Sequence, residues 1–249
     1  MKAMILAAGL GTRLHPLTDD RPKALVEIRG RTLLEITLSR LRAFGVREVI
    51  VNVHHFADTV VEYLLANNNF GMRIEVSREE VLLDTGGGLK QAAWFFLENA
   101  RERDEPFLLH NVDVLSTIDL GRMVQFHMEH QALATLAVQE RPSSRYLLFD
   151  EHGRLCGRRF EREDRTEMAR PAEHLQPLAF SGIHVISARL LQMMTEEGAF
   201  SIIETYLRLT GRNERIVAFR ADEYYWRDLG TFESLEQAGE DFQRGIVPA

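Results

Sequence analysis

Cysteine is nearly absent from this sequence, because Cys156 is the only one in 249 residues. A single thiol can form neither an intrachain disulfide nor a thiolate zinc site. Long hydrophobic runs are absent too. The apolar stretch from Ala3 to Leu10 is too short and too weakly flanked for a signal peptide, and no stretch reaches the roughly eighteen apolar residues of a membrane span. We therefore expect a soluble protein of a reducing cytoplasm that does not associate with membranes.

Basic charge is also in short supply, and lysine is the rarest part of it. The chain has 37 Asp and Glu residues against 30 Lys and Arg residues, so its net charge is −7 at pH 7. Proteins that bind nucleic acid or anionic membranes need a basic face, and this composition argues against both classes. The only lysines are Lys2, Lys23 and Lys90. A chain of this kind that handles nucleotides must gather its cations at one place.

Apolar residues make up 45% of the chain and follow an alternating β-α order in its first half. The apolar run over 3–8 is typical of a strand buried on both faces, which belongs in a parallel sheet. Thr32 followed by Glu35 is a capping box, and it predicts a helix that ends at Gly45. Further strands are predicted at 48–53, 73–77 and 107–110, and further helices at 58–66, 88–98 and from about 119.

The second half has strand patterns with irregular connections, predicted at 133–139, 146–149, 180–186 and 216–219. The charged run over 158–170 has no apolar periodicity, so we expect a mobile surface loop there. Thr231 is expected to cap a last helix. These patterns predict an α/β protein with a Rossmann-like three-layer α/β/α sandwich and a mixed, mainly parallel central sheet. No linker or repeat interrupts the chain, so a single domain over 1–249 is expected.

A glycine-rich loop follows the first strand. In it Ala8, Gly9, Gly11 and Thr12 can turn the backbone N–H groups toward phosphate oxygens, and Arg13 adds positive charge. Lys23 follows closely in the sequence and adds a second cation. The loop is neither a dinucleotide fingerprint, which needs a glycine where Leu14 stands, nor a P-loop, which needs Gly-Lys-Ser/Thr. On its own the Gly-x-Gly pattern is equally typical of an ordinary strand-to-loop turn.

Two aspartates stand where metal chemistry is expected. Asp113 follows the apolar strand at 107–110, and open α/β sheets bind ligands at the carboxyl ends of their strands. Asp228 follows the aromatic segment Tyr224, Tyr225 and Trp226. Two carboxylates from distant parts of the chain, together with phosphate oxygens and water, are suitable ligands for Mg²⁺.

These segments together resemble the sugar-1-phosphate nucleotidylyltransferases, enzymes that join a nucleoside triphosphate (NTP) to a sugar 1-phosphate and release pyrophosphate. The resemblance runs in order along nearly the whole chain. It rests on Gly9-Leu10-Gly11-Thr12-Arg13, Pro22-Lys23, Leu83-Asp84-Thr85-Gly86-Gly87-Gly88, Asn111-Val112-Asp113, Phe180-Ser181-Gly182 and Trp226-Arg227-Asp228-Leu229-Gly230-Thr231.

The resemblance implies a role for each segment. The glycine loop with Arg13 would hold the triphosphate, Lys23 would approach the transferring phosphate, and Asp113 and Asp228 would hold magnesium. The remaining matched positions would bind substrate: Thr85, Gly86, Gly87, Gly88, Asn111 and Gly182. Of these, the glycine-rich run over 85–88 would face the base. The nucleotide would then occupy about 1–130 of the domain, and the sugar phosphate about 131–230.

The sequence departs from the family pattern at two places. Val112 stands where the family has a smaller residue before the metal aspartate. The family also commonly has a lysine that holds the sugar phosphate, whereas no lysine follows Lys90. Arg158 and Arg159 lie where that lysine is expected, and we predict that they replace it, since a guanidinium can grip phosphate with two hydrogen bonds. A solvated charge run is the alternative.

Among the subgroups, the glycine-rich run with an acid before it looks most like N-acetylmuramate 1-phosphate uridylyltransferases, with UTP as donor. Guanylyltransferases for mannose or heptose 1-phosphates are the close alternative. A paralogue that senses nucleotide sugars without turning them over is a third reading, although a sensor would not need Asp113 and Asp228. A GT-A glycosyltransferase would need an Asp-x-Asp motif, which the chain lacks. Whether identical copies associate is left open.

The chain has other residues that could suggest a site. The neighbours His54 and His55, and the pair His127 and His130 on one helix face, have no further ligands nearby in the sequence. We interpret both pairs as surface or packing residues. The aromatic residues at 94–96 are predicted to lie in the core.

Overall fold

A ten-stranded sheet forms the centre of the molecule in the computed structural model, which describes residues 1–98 and 105–247. The strands of the described residues are β1 Lys2–Leu6, β2 Glu27–Ile28, β3 Arg31–Thr32, β4 Glu48–Val53, β5 Arg73–Arg78, β6 Pro106–Asn111, β7 Val114–Ser116, β8 Ala134–Gln139, β9 Arg145–Phe149, β10 Leu155–Phe160, β11 Arg165–Met168, β12 Gln176–Ser187, β13 Ile216–Arg220 and β14 Trp226–Asp228. The α-helices are α1 Leu33–Phe44, α2 Ala57–Ala66, α3 Asp84–Gln91, α4 Ala93–Leu97, α5 Leu120–Glu129, α6 Arg189–Met193, α7 Ile202–Gly211 and α8 Phe232–Gln243.

The sheet is mixed. Its first-half strands run parallel in the order β6-β1-β4-β5, and β12 lies antiparallel beside β6. Beyond β12 the sheet continues as β9-β10-β11, while β8 and β13 pair on a side branch. The α/β fold class with a mostly parallel sheet is confirmed. The carboxyl ends of β1, β4 and β6 meet at one edge, where ligands bind in open α/β sheets.

Two hydrophobic cores cover the faces of this sheet. On β1, Ala3 and Ile5 belong to the core that includes helix α1, while Met4 between them belongs to the core on the opposite face. This alternation follows from the two-residue period of a strand. The helices and the sheet therefore form three layers.

Helix α1 begins at the predicted cap residue and ends at the predicted glycine, but its predicted capping box is only half formed. The side chain of Thr32 accepts a hydrogen bond from the backbone N–H of Glu35, at 3.0 Å. Gly45 ends the helix in the left-handed conformation, with φ of 102°, which glycine adopts without strain. The Glu35 carboxylate accepts from Arg31 and Tyr63. Helix α1 is therefore firmly bounded at both ends.

The prediction of a mobile loop over 158–170 is wrong. Strands β10 and β11 form a hairpin there, joined by a short turn at Glu161–Glu163. Arg158 pairs across the hairpin with Glu167, and Arg158 and Arg165 lie over the ring of Phe160. The hairpin is at the sheet edge, where charged side chains on both faces are tolerated, so its strands show no apolar periodicity.

Other elements also differ from the sequence prediction. Helix α7 was not predicted, although Ser201 and Glu204 begin it with a recognisable cap pattern and the Ser201 side chain accepts from a backbone N–H. Helix α3 begins at Asp84, so the glycine-rich run lies inside a helix. Phe95 and Phe96 are buried, but Trp94 is 49% exposed, which corrects its placement in the core. Within the described residues, no helix is long and apolar enough to cross a membrane.

Candidate active site

The glycine loop after β1 has one position that requires glycine. Gly11 has φ of 67°, and a Cβ there would lie 2.9 Å from the methyl group of Thr18. The Gly11 carbonyl accepts hydrogen bonds from the backbone N–H of Leu14 and from the hydroxyl of Thr18. Gly9, in contrast, has open space where its side chain would be. The loop therefore has a fixed shape that exposes its backbone.

A cavity of about 610 Å³ opens in front of this loop at the carboxyl ends of β1 and β6. The predicted residues Ala8, Gly9, Gly11, Thr12 and Arg13 all line it. The other lining residues come from several parts of the chain: Leu6, Ala7, Lys23, Asn52, Leu82, Asp84, Thr85, Asn111, Val112, Asp113, Ala199 and Gly230. The volume is in the range of sites that hold small molecules.

Lys23 and Asp113 form an ion pair in this cavity. Lys23 lies in a short 3-10 turn, its side chain is only 9% exposed, and its Nζ contacts Oδ2 of Asp113. The other two lysines bond to backbone carbonyls: Lys2 to Phe95 and Lys90 to Glu196. Among the three lysines, Lys23 alone lines the cavity.

A short antiparallel ribbon brings the two predicted aspartates together. In it β14 pairs with β7, so that Asp228 lies opposite Val114, the neighbour of Asp113. The backbone N–H of Leu229 donates to the carbonyl of Asp113 at 2.8 Å. The Asp228 carboxylate accepts from the backbone N–H of Gly230 at 2.9 Å and lies 3.7 Å from the Arg13 guanidinium. Asp228 is at the rim, since it does not line the cavity.

The ribbon thus presents two carboxylates, each beside a cation. No group of three or more His, Cys, Asp or Glu side chains that could hold a metal occurs in the part of the chain that the structure describes. A zinc site needs three or four protein ligands, and this pair does not supply them. Mg²⁺ commonly takes one or two carboxylates and completes its shell with phosphate oxygens and water, so the donor set fits Mg²⁺.

The glycine-rich run has a packing role. A Cβ at Gly86 would lie 2.3 Å from the ring of Phe200, and one at Gly87 would lie 2.4 Å from the carbonyl oxygen of Gly198. A Cβ at Gly88 would meet the side chains of Glu79 and Asn52. Of the four residues predicted to face the base, Thr85 lines the cavity and the three glycines do not. Close helix packing therefore explains these glycines.

Sequence reasoning missed a buried polar chain beside that run. The Asn52 side chain accepts from the backbone N–H of Ala7 at 2.7 Å and donates to the Glu79 carboxylate at 2.6 Å. The other carboxylate oxygen of Glu79 accepts from the backbone N–H of Leu83 at 2.9 Å. These hydrogen bonds connect the start of the glycine loop to the start of α3. The signal was a polar residue, Asn52, within the apolar run of β4.

Asn111 and Gly182 are neighbours on adjacent strands. Asn111 ends β6 and lines the cavity. Gly182 has φ of 74° where the register of β12 shifts, and a Cβ there would lie 2.8 Å from Val114 and 3.0 Å from the Asn111 amide. Gly182 therefore allows β12 to approach the ribbon, while Asn111 faces the ligand space. Val112 lines the cavity too, and only 4% of its surface is exposed.

A second cavity of about 420 Å³ contains one of the two predicted arginines. Neighbouring residues of a strand point to opposite faces, so Arg158 and Arg159 diverge. Arg159 lines this cavity with Glu140, Arg141, Pro142, Tyr146, Gln176 and Pro177, while Arg158 pairs with Glu167. The structure therefore separates the two arginines.

Arg141 connects the second cavity to the ribbon. Its guanidinium stacks on the Trp226 ring at 3.6 Å and donates to the carbonyl of Phe180, while its buried Nε has no hydrogen-bond partner among the described residues. Burial lowers the pKa of Arg141, and the Asp228 carboxylate opposes that shift. Arg141 thus links the second cavity to β14, the strand that carries Asp228.

The sequence matches known proteins over nearly its whole length. The sequence model of the nucleotidyl transferase family matches residues 2–245. The N-acetylmuramate alpha-1-phosphate uridylyltransferase of Caulobacter vibrioides is 34% identical over 92% of this chain and 91% of its own length. The mannose-1-phosphate guanylyltransferase of Mycobacterium tuberculosis is 28% identical over 99% of this chain, which spans 66% of that longer protein.

Solved structures share the fold. HddC from Yersinia pseudotuberculosis, solved with GMP-PN, matches with a TM-score of 0.73 and 22% identity, covering 97% of this chain and 99% of HddC. A UDP-glucose pyrophosphorylase solved with UDP-glucose matches with a TM-score of 0.76 and 18% identity, covering 98% of each chain. At these identities the likeness shows a common fold.

Proposed function

Because this chain belongs to the nucleotidyl transferase family, we propose that it transfers a nucleotidyl group from an NTP to a sugar 1-phosphate and releases pyrophosphate. The observation that carries the proposal is the pairing of Lys23 with Asp113, and of Arg13 with Asp228, at the glycine loop. Two cations and two carboxylates beside an exposed backbone suit a reaction between two phosphate compounds. A nucleotide-sugar sensor would have no need of the carboxylates.

The reaction requires no general base. A sugar 1-phosphate is already an anion at neutral pH, so its phosphate oxygen attacks the α-phosphorus of the NTP directly. A new P–O bond forms, the bond between the α-phosphorus and its bridging oxygen breaks, and pyrophosphate leaves with that electron pair. Arg13 and Lys23 offset the negative charge of the phosphates, and the glycine loop orients them.

Asp113 and Asp228 are the residues that would hold Mg²⁺ in this enzyme. When bound, the cation would supply neutralisation of the transferring phosphate's charge. Lys23 holds the Asp113 carboxylate in place, while the ribbon sets its position relative to Asp228. The protein's own contribution is therefore a fixed pair of carboxylates with a cation beside each.

The second cavity is where we place the sugar 1-phosphate. It holds two guanidinium groups, from Arg141 and Arg159, and Arg141 lies within electrostatic reach of Asp228. The guanidinium of Arg141 lines this cavity and is a charged donor group that suits an anionic ligand. Our proposal for the acceptor clamp is therefore Arg159 with Arg141. Arg158 pairs with Glu167 and Arg159 pairs with Glu161, so Arg159 is preferred only because it lines the cavity and Arg158 does not.

For the specific substrates we favour UTP and N-acetylmuramate 1-phosphate. The 34% identical relative is named for that activity. N-acetylmuramate also carries a carboxylate besides its phosphate, and two arginines in one cavity can accommodate two anionic groups. Mannose 1-phosphate with GTP is the second candidate, favoured by the relative from Mycobacterium tuberculosis, and this acceptor has only one anionic group.

The test is a pyrophosphate-release screen of four NTPs against N-acetylmuramate, mannose, heptose and glucose 1-phosphates. We expect the highest kcat/KM with UTP and N-acetylmuramate 1-phosphate in the presence of Mg²⁺. Asp113→Asn and Asp228→Asn should each abolish most release. Asp119→Asn is the matched control, because Asp119 caps helix α5 and Asn caps equally well. Preference for mannose 1-phosphate would refute the acceptor assignment, and no release with any pair would favour a sensor.

A further inference from the structure

The guanidinium of Arg40, on helix α1, lies largely buried beneath the segment that contains Asp113. Arg40 donates from Nη1 to Oγ of Ser116 at 2.7 Å and to Nε2 of His110 at 3.2 Å, and from Nη2 to the carbonyl of Ile118 at 2.5 Å. Burial lowers the pKa of Arg40 to about 10. No carboxylate pairs with Arg40 among the described residues, although buried charges usually have such a partner.

The three acceptors lie on both sides of the Asp113 turn. His110 precedes the last residue of β6, whereas Ser116 is the last residue of β7 and Ile118 follows it. The turn between β6 and β7 contains Asp113. The fork of Arg40 therefore bridges the strand that enters the turn and the strand that leaves it.

A second residue of the same helix face reaches the turn itself. Thr37, one helical turn before Arg40, has its hydroxyl 3.5 Å from the carbonyl of Val112 and donates more closely to Leu33. The tautomer of His110 fits the contact with Arg40, since its Nδ1 donates to the Asn111 carbonyl and leaves Nε2 free to accept. Helix α1 therefore supports the turn from below at several points.

Packing alone does not account for an arginine at this place. An apolar side chain would fill the space under β6 and β7 without the cost of burying a charge that no carboxylate offsets. A guanidinium, however, offers several donors in a rigid plane and can fix the relative positions of three acceptors. Arg40 is thus suited to fix the positions of β6 and β7 relative to each other on the two sides of the turn.

We propose that Arg40 is a positioning residue that sets the geometry of the Asp113 turn, holding Asp113 against Lys23 and beside Asp228. The inference rests on the proposed function, because the positioned carboxylate matters only if the site handles a metal and phosphates. Arg40 itself touches no substrate. Its loss alters catalysis through Asp113, and groups that support a metal ligand are typically worth 10- to 100-fold in metal affinity or activity.

The test compares Arg40→Met, Arg40→Lys and Ser116→Ala, with Arg42→Met as the matched control. Arg42 lies on the same helix but bonds to Phe70 at the surface. We expect Arg40→Met to lower kcat roughly 10- to 100-fold and to raise the Mg²⁺ concentration for half-maximal rate. The KM of the sugar phosphate should stay within about twofold. Arg40→Lys should lower kcat to a similar extent, because an ammonium group cannot form the planar fork of hydrogen bonds.

A double-mutant comparison isolates the contact from general destabilisation. Ser116→Ala should lower kcat in the wild-type background and have no further effect in Arg40→Met, because the two residues act through one hydrogen bond. Amide hydrogen exchange over 111–116 should be faster in Arg40→Met than in Arg42→Met, without substrate or metal present. This second readout is independent of turnover.

The outcomes separate the inference from the proposed function. If wild-type protein releases no pyrophosphate with any pair but exchange over 111–116 rises in Arg40→Met, the function is wrong and the positioning role survives. If the Arg40 variants fold and match Arg42→Met in kcat, Mg²⁺ dependence and exchange, the positioning role is refuted. Should the Arg40 variants not fold, Ser116→Ala decides, and unchanged kcat and exchange in that variant overturn the proposal.

Discussion

Mild acid is expected to destabilise this protein through two buried histidines. His110 on β6 and His184 on β12 lie on neighbouring strands, and each is only 1% exposed. Burial is the main reason that the pKa of each falls to about 3, from an ordinary 6.5. Arg40 faces His110, and the Tyr206 hydroxyl lies 2.9 Å from Nδ1 of His184. No carboxylate of the part of the chain that the structure describes contributes to either pKa shift.

The sign and size of the effect follow from this difference in pKa. Both histidines are neutral in the folded state above about pH 4, whereas in the unfolded chain they take up protons below pH 6.5. Their contribution to stability is therefore complete above pH 6.5 and is lost as the pH falls toward 3. At pH 5, protonation of each histidine in the unfolded state lowers the free energy of unfolding by about 2 kcal/mol, which is about 4 kcal/mol for the two. A typical domain has about 5–15 kcal/mol of stability.

The measurement is urea unfolding at pH 7.5, 6 and 5, with the free energy of unfolding obtained by linear extrapolation. His184→Gln removes one titrating group and keeps an amide for hydrogen bonding, so it should show about half of the wild-type loss. Asp150 and Asp222 are carboxylates with a lowered pKa, and their contribution to the free energy of unfolding is lost mainly below about pH 4. They therefore do not contribute to the change between pH 7.5 and 5. A wild-type loss below about 1 kcal/mol between pH 7.5 and 5 would refute the reasoning.

Three further expectations concern the site and its support. Asp113→Asn should reduce Mg²⁺-dependent turnover roughly 100-fold or more while leaving the melting temperature near that of wild type, and near-normal turnover would remove Asp113 from the metal site. Arg159→Ala should raise the KM of the sugar phosphate with little change in NTP binding. Arg158→Ala, on the other face of β10, is the matched control. Equal effects of the two variants on this KM would contradict the assignment of Arg159 to the acceptor clamp. Gly86→Ala should lower the free energy of unfolding by about 1–3 kcal/mol, because its Cβ meets Phe200, and unchanged thermal unfolding would contradict the packing role.

The glycine positions show how far local sequence can be interpreted. Glycine marks a backbone position that excludes a side chain, but it does not say which neighbour excludes it. Around Gly11 the reason is local, a left-handed conformation within the loop. At Gly86 the neighbour is Phe200, far away in sequence, and only the folded chain brings the two together. The packing of these glycines is therefore explained by the fold, while the base-facing role of the run over 85–88 stays a prediction.

The sequence by itself determined the family pattern, the alternating elements of the first half and the cap of α1, because these depend on residue types at short spacings. It also indicated Lys23, Asp113 and Asp228 through their motifs. Only the tertiary structure decided that β14 pairs with β7, with Asp228 opposite the neighbour of Asp113, and that Arg159 lines a cavity while Arg158 does not. Strand pairing between distant segments sets these positions, and no local preference specifies which distant strands pair or in what register.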